Sequence, residues 1–170
     1  MKRWILISLL FLQAVLGWSQ ETPSLLSRVL AANTAETLQA GFTETRHTPL
    51  LEENLLSEGV VYLKAPDKLR WELRAPEARV SVLGAPSGHR FRLPTEKDFA
   101  CKVLENEELS LILTPLRRDL KQLFTQLVVT VDPQSLQLRS VLANTSDGGW
   151  ISLQFRDVKT GLELSDTLFE

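Results

Sequence analysis

The sequence predicts a mainly β protein with helices (α+β), built as one curved antiparallel sheet with an N-terminal and a mid-chain helical segment. Three observations predict it. Apolar and polar residues alternate with a period of two over most of the chain from Leu38 onward. Turn signals such as Pro66-Asp67, Ala75-Pro76, Pro86-Ser87-Gly88, Asp132-Pro133 and Asp147-Gly148-Gly149 punctuate those runs at short intervals, which suits a meander. Two stretches, one near Leu25 and one between Glu107 and Phe124, switch to helical spacing.

Ahead of these elements stands a segment of another kind. Lys2 and Arg3 precede an apolar run from Trp4 to Leu16, and Gly17-Trp18-Ser19 puts small residues at −3 and −1 of a cut. This is the pattern of a secretory signal peptide over 1–19, cleaved near Ser19/Gln20. The run is shorter than the roughly 20 residues a membrane-spanning helix needs. No cysteine lies at the junction to carry a lipid anchor. The expectation is an exported, soluble, monomeric protein of the periplasm, with residues 20–170 as one domain.

In that domain Thr22 reads as a helix N-cap and Pro23 as the first helical residue, with Leu25, Leu26, Val29 and Leu30 on one stripe and Asn33 at the end. Leu38, Ala40 and Phe42 then alternate with polar neighbours, and 58–64 is β-branched and aromatic. Leu69, Trp71 and Leu73 alternate against Arg70, Glu72 and Arg74, a strand with one buried face. Val80 with Val82, and Phe91 with Leu93, extend the meander. From Glu107 to Phe124, Leu109, Ile112, Leu113, Leu116, Leu120, Leu123 and Phe124 fall on one helical face, and Pro115 splits the segment into two short helices. Strand character returns at 127–131, 136–144, 150–155 and 163–168. The mid-chain stripe has two readings: core packing, or a lid over an apolar cavity, cheap to open because it is short and broken by proline.

Composition narrows the function. The 170 residues are 44% hydrophobic and 24% charged, with a net charge of −2, so no concentrated basic footprint for nucleic acid is present. His47 and His89, the only two histidines, have no ligand partners at metal spacing. The sequence holds one cysteine, Cys101, so no internal disulfide forms, and the expectation is a buried, inert thiol. Glu52-Glu53 and Glu107-Glu108 are adjacent pairs that face apart. Ser87-Gly88 does not fit a nucleophile elbow, and no phosphate loop is present. Neither an enzyme nor a cofactor protein is expected.

The run Gly59-Val60-Val61-Tyr62-Leu63-Lys64-Ala65-Pro66-Asp67-Lys68-Leu69-Arg70-Trp71-Glu72 resembles the signature of the outer-membrane lipoprotein carrier family (LolA-like). Ala40-Gly41-Phe42-Thr43-Glu44 is similar to that family's first strand, and Trp150 to Phe155 and Leu168-Phe169 to its closing strands. The resemblance implies an open, strongly curved sheet, an incomplete barrel wrapped over helices, with an apolar pocket for acyl chains. It implies a periplasmic chaperone that accepts acylated lipoproteins or lipids from an inner-membrane donor and passes them to an outer-membrane acceptor. Strand parity with the signature gives Phe42, Val61, Leu63, Leu69, Trp71, Leu73, Val82 and Phe91 as pocket residues, and Leu109, Ile112, Leu113, Leu116 and Leu120 as the lid. The sequence departs from the family at Ala65, where an arginine usually latches the lid, and at Glu44, usually glutamine. The alternative from another class is a periplasmic sensor or assembly module of the same fold that binds a protein partner.

Overall fold

Leu25, Leu26, Val29 and Leu30 share one stripe of helix α1 (Leu25–Asn33), and Leu26 and Val29 are buried. A computed structural model of the chain describes residues 23–83, 95–105 and 108–170. The signal-peptide segment, the Pro86-Ser87-Gly88 turn, His89, Phe91 and Leu93 therefore lie outside the described residues. Ser24, not Thr22, caps α1: its hydroxyl accepts the Ser27 amide at 3.1 Å and donates to Glu96. Pro23 thus precedes the cap instead of opening the helix.

All nine described strands belong to one open antiparallel sheet. They are β1 (Thr37–His47), β2 (Leu55–Lys64), β3 (Lys68–Ala75), β4 (Arg79–Leu83), β5 (Phe99–Glu105), β6 (Leu109–Pro115), β7 (Phe124–Val131), β8 (Leu138–Thr145) and β9 (Trp150–Thr160). Their order is β4-β3-β2-β1-β9-β8-β7-β6-β5. The chain runs outward from β1 to one edge, crosses to the other, and returns by hairpins until β9 pairs with β1. Turns at Pro66-Asp67, Pro76, Asp132-Pro133 and Asp147-Gly148-Gly149 join consecutive strands where the sequence signals them. The β7–β8 turn is tied by Asp132, which accepts from Gln134 N, Ser135 N and the Ser135 hydroxyl.

Two sequence expectations give way. The stretch read as a helical hairpin is a strand followed by a short helix: Leu109, Ile112 and Leu113 lie in β6, Leu116 follows it, and Leu120 and Leu123 lie in α2 (Arg118–Leu123). Phe124 opens β7. Leu109, Leu111 and Leu113 also satisfy a period of two, and a leucine-rich run fits both periods. What decides is β5, unassigned in the sequence, which pairs with β6 from Phe99↔Pro115 to Glu105↔Leu109. Pro115 sits at the end of that strand, where proline is tolerated. The second change is at 163–168, which forms no strand; a 3-10 turn (Asp166–Phe169) docks on β3. Lys64 and Lys68 both bind Asp166, Arg70 binds the Leu168 carbonyl, and Phe169 is buried.

Residues paired across antiparallel strands share a face, so the register sorts the sheet into two. One face carries Phe42, Val61, Leu69 and Trp71 on one half and Leu111, Leu113, Leu127, Val129 and Val141 on the other. The opposite face carries Tyr62, Arg70, Glu72, Gln154 and Arg156. The apolar face holds two separate clusters. Ala40, Phe42 and Val61 centre one, and Leu111, Leu113 and Val131, packed under Leu26 and Val29 of α1, form the other.

Candidate functional site: the apolar face

Phe42, Val61, Leu63, Leu69, Trp71 and Leu73 share the apolar face of β1–β3. Val61 stands opposite Trp71, Leu63 opposite Leu69, and Leu73 opposite Gly59. The Phe42 and Trp71 rings lie 4.1 Å apart, tilted by 32°. Gly59 makes this possible, because a Cβ there would come within 2.6 Å of Phe42 Cζ. Phe42 is wholly buried and Val61 nearly so, so this half of the face is largely filled by its own side chains.

Val82 is a correction. It pairs with Arg70, whereas Ser81 stands opposite Trp71, so Val82 lies on the polar face. Alternation within β4 shows that its residues take turns, but the β3–β4 connection sets which set faces in, and a one-residue shift inverts the assignment. Phe91 lies outside the described residues. Leu109, Ile112 and Leu113 are sheet residues, not lid residues, and Ile112 pairs with Lys102 and Val128 on the face away from α1.

The open space on the apolar face lies beside the filled half, under α1. It is a cavity of about 210 Å³. Leu26, Val29 and Leu30 roof it, and Leu111, Leu113, Leu127, Val129 and Val141 form its floor, with Phe99 and Leu138 also lining it. An apolar cavity with a few polar groups at the rim suits a hydrocarbon chain. The polar group is Asn33, at the C-terminal end of α1. Its amide donates to the Val29 and Leu136 carbonyls and accepts the Leu138 amide, each at 2.8 Å. The roof is therefore fastened at both ends, by Ser24 to Glu96 and by Asn33 to the β7–β8 hairpin.

The cavity residues of β5, β7 and β8 escaped the sequence reading of the pocket. The apolar stripe of α1 was visible in the sequence, but its role depends on which strands it covers. Glu44 lies on the apolar face, buried, and pairs with Arg46 at 2.9 Å. Lys64 reaches the Leu164 carbonyl and Asp166, so beside Ala65 it fastens the C-terminal segment. Cys101 is exposed, contrary to the expected buried thiol, because β5 is an edge strand. Partial burial and, secondarily, Glu96 push its thiol pKa up. Among the described residues no group of three or more His, Cys, Asp or Glu side chains is placed to hold a metal. No described helix is long and apolar enough to cross a membrane.

No protein-family model matches the chain, and no curated protein sequence matches it. Solved structures do. MucB aligns with a TM-score of 0.52 at 11% identity, over 85% of this chain and 60% of that one. A MucA/MucB complex from Pseudomonas aeruginosa aligns with a TM-score of 0.49 at 13% identity, over 85% of this chain and 59% of that one. A LolA superfamily protein from Nitrosomonas europaea aligns with a TM-score of 0.47 at 13% identity, over 85% of this chain and 95% of that one. At these identities the likeness is one of fold alone, an open antiparallel sheet. The chain spans about 60% of the length of MucB.

Proposed function

We propose that this protein is an exported, non-catalytic carrier whose apolar face shelters acyl chains of lipoproteins or lipids crossing the periplasm between inner and outer membranes. The observation that carries the reading is the 210 Å³ cavity under α1, walled almost entirely by hydrocarbon side chains. Sequestration follows from the hydrophobic effect, at about 0.8 kcal/mol per buried CH₂, and release follows when an acceptor offers a more apolar site. The segment 1–19 supports export, and the Gly59–Glu72 resemblance supports the cargo class. Mass spectrometry of lipid extracted from the purified protein tests it. Acyl-bearing species are expected with the wild type and not with Val129→Trp, which places an indole in the cavity. Their absence from both proteins would refute carriage.

A second reading has its own support. The solved neighbours include MucB in complex with MucA, so the same fold serves a protein that binds a protein. Under that reading the chain is an assembly or sensor module, and the apolar face is core. A preparation free of lipid in which Val129→Trp is merely destabilised would favour it.

A further inference from the structure

Among the described strands β5 ends the sheet on one side, and its open edge runs beside the first turn of α1. Exposed edges of soluble proteins are blunted by shortness, proline, bulges or charge, because they invite another strand. β5 is 7 residues long, holds no proline, and pairs with β6 in unbroken register from Phe99↔Pro115 to Glu105↔Leu109. Lys102 is the one charged residue between Phe99 and Leu104.

The register shows which backbone groups face outward. The Leu116 amide donates to the Asp98 carbonyl at 2.8 Å, so these two residues form a bonded pair at the start of the β5–β6 ladder. Bonded and non-bonded pairs alternate along antiparallel strands. Ala100, Lys102 and Leu104 therefore direct their backbone groups to β6, and the N–H and C=O of Phe99, Cys101 and Val103 point away from it. Pro115 opposite Phe99 agrees, since a non-bonded pair asks no N–H of it.

The side chains of the same three residues line a groove of about 320 Å³, whose other wall is Leu25 and Leu26 of α1, with Ser24 and Glu96 also lining it. The groove adjoins the cavity under α1 and shares Leu26 and Phe99 with it. A chain laid along β5 meets the outward groups with its own backbone. Its residues paired with Phe99, Cys101 and Val103 share their face, so alternate side chains enter the groove. Backbone bonds then supply affinity and the groove supplies selection. The intervening residues stand on the other face, where an acid answers the exposed Lys102. A second copy centred on the same strand sets Lys102 against Lys102, Ala100 or Leu104 and leaves its charge unanswered.

We propose that β5 accepts an extended segment of a partner protein as an added strand, with aliphatic residues at alternate positions in the groove and an acidic residue opposite Lys102. Strand addition does not depend on acyl carriage.

The test uses the full chain under reducing conditions and a fluorescent synthetic peptide that alternates valine with threonine, with glutamate at the central threonine position. Binding is read as a rise in anisotropy. Methylating the valine backbone nitrogens, which face β5, is expected to weaken binding about tenfold, while methylating the threonine nitrogens leaves it within about twofold. Lysine in place of the glutamate weakens binding about fivefold, and Lys102→Glu reverses that preference. Val103→Pro removes an N–H that β6 does not use, so it keeps the fold and lowers binding about tenfold. Equal binding of the two methylated peptides overturns the proposal, as does no binding of the parent peptide. Sedimentation as a dimer that excludes the peptide marks a second copy as the occupant and overturns it too.

Discussion

Replacing Gly59 by alanine is expected to be among the most damaging single-methyl changes in the protein. A Cβ at that position would lie 2.0 Å from the Glu72 carbonyl oxygen, 2.6 Å from Phe42 Cζ and 2.9 Å from Phe42 Cε1. The carbonyl belongs to the paired strand β3, and the ring is wedged against Trp71, so neither can yield as a loose side chain would. Overpacking a close-packed site costs typically 1–3 kcal/mol and sometimes more, and two rigid obstacles put Gly59→Ala at about 3 kcal/mol. Gly41→Ala is the control. Its Cβ would meet Arg156 Cγ at 3.1 Å, on a half-exposed arm that can swing away, and the expected cost is about 0.5 kcal/mol. Urea denaturation followed by tryptophan emission measures both. Adding Phe42→Leu removes the ring from the clash and leaves the carbonyl, so the Gly59→Ala and Phe42→Leu pair should show a favourable coupling of about 1 kcal/mol. A loss below about 1 kcal/mol for Gly59→Ala would mean that the strands separate easily here, and the filled half of the apolar face would have to be regarded as deformable.

Three further outcomes are expected. Asn33→Ala removes two bonds from the roof to the β7–β8 hairpin, each contributing about 1 kcal/mol, so native-state hydrogen exchange of α1 amides should quicken roughly 30-fold while β1 and β2 amides hold. Hydrogen bonds from Lys64 and Lys68 hold the Asp166 carboxyl at about 2, below its ordinary 3.8, so the contact stabilises the fold above that ordinary value and loses its effect as pH falls toward 2. The stability gap between wild type and Asp166→Asn, followed by thermal melting, should therefore close between about pH 4 and 2. Cys101 should alkylate slowly for an exposed thiol at pH 8, and Glu96→Gln should speed the reaction by removing the second cause of its raised pKa.

The β1–β3 part of the sheet was legible because β1 and β3 alternate, 58–64 is β-branched and aromatic, and the β2–β3 turn carries its own signal. Leu69, Trp71 and Leu73 against Arg70, Glu72 and Arg74 leave one assignment, and Pro66-Asp67 fixes the hairpin. Leu109 to Pro115 was not legible. Its leucines answer to both periods, and the strand that settles the matter, Phe99–Glu105, lacks strong alternation, with exposed Ala100, Cys101 and Lys102 on an open edge. Val82 failed for a different reason, since the face of a short edge strand depends on the register set by the preceding connection. The buried Phe169 could not be placed from the sequence because its segment forms no ladder and is fastened by Lys64, Lys68 and Arg70, residues about a hundred positions away.

These errors share a consequence for how the apolar face works. With β6 in the sheet, closure of the cavity falls to α1, a helix of 9 residues that is too short to be stable alone. It holds its shape through Leu26 and Val29 below it and through Ser24 and Asn33 at its ends, so whatever enters the cavity competes with the contacts that keep the helix formed. The other half of the face works in the opposite sense. There Gly59 lets Phe42 lie against Trp71, and aromatic rings take the room that a helix or a ligand would fill. One continuous sheet thus carries a half filled by its own side chains beside a half closed by the element least able to stand by itself. On the proposed carrier reading, an acyl chain would enter under α1, away from the filled side chains of β1 to β3.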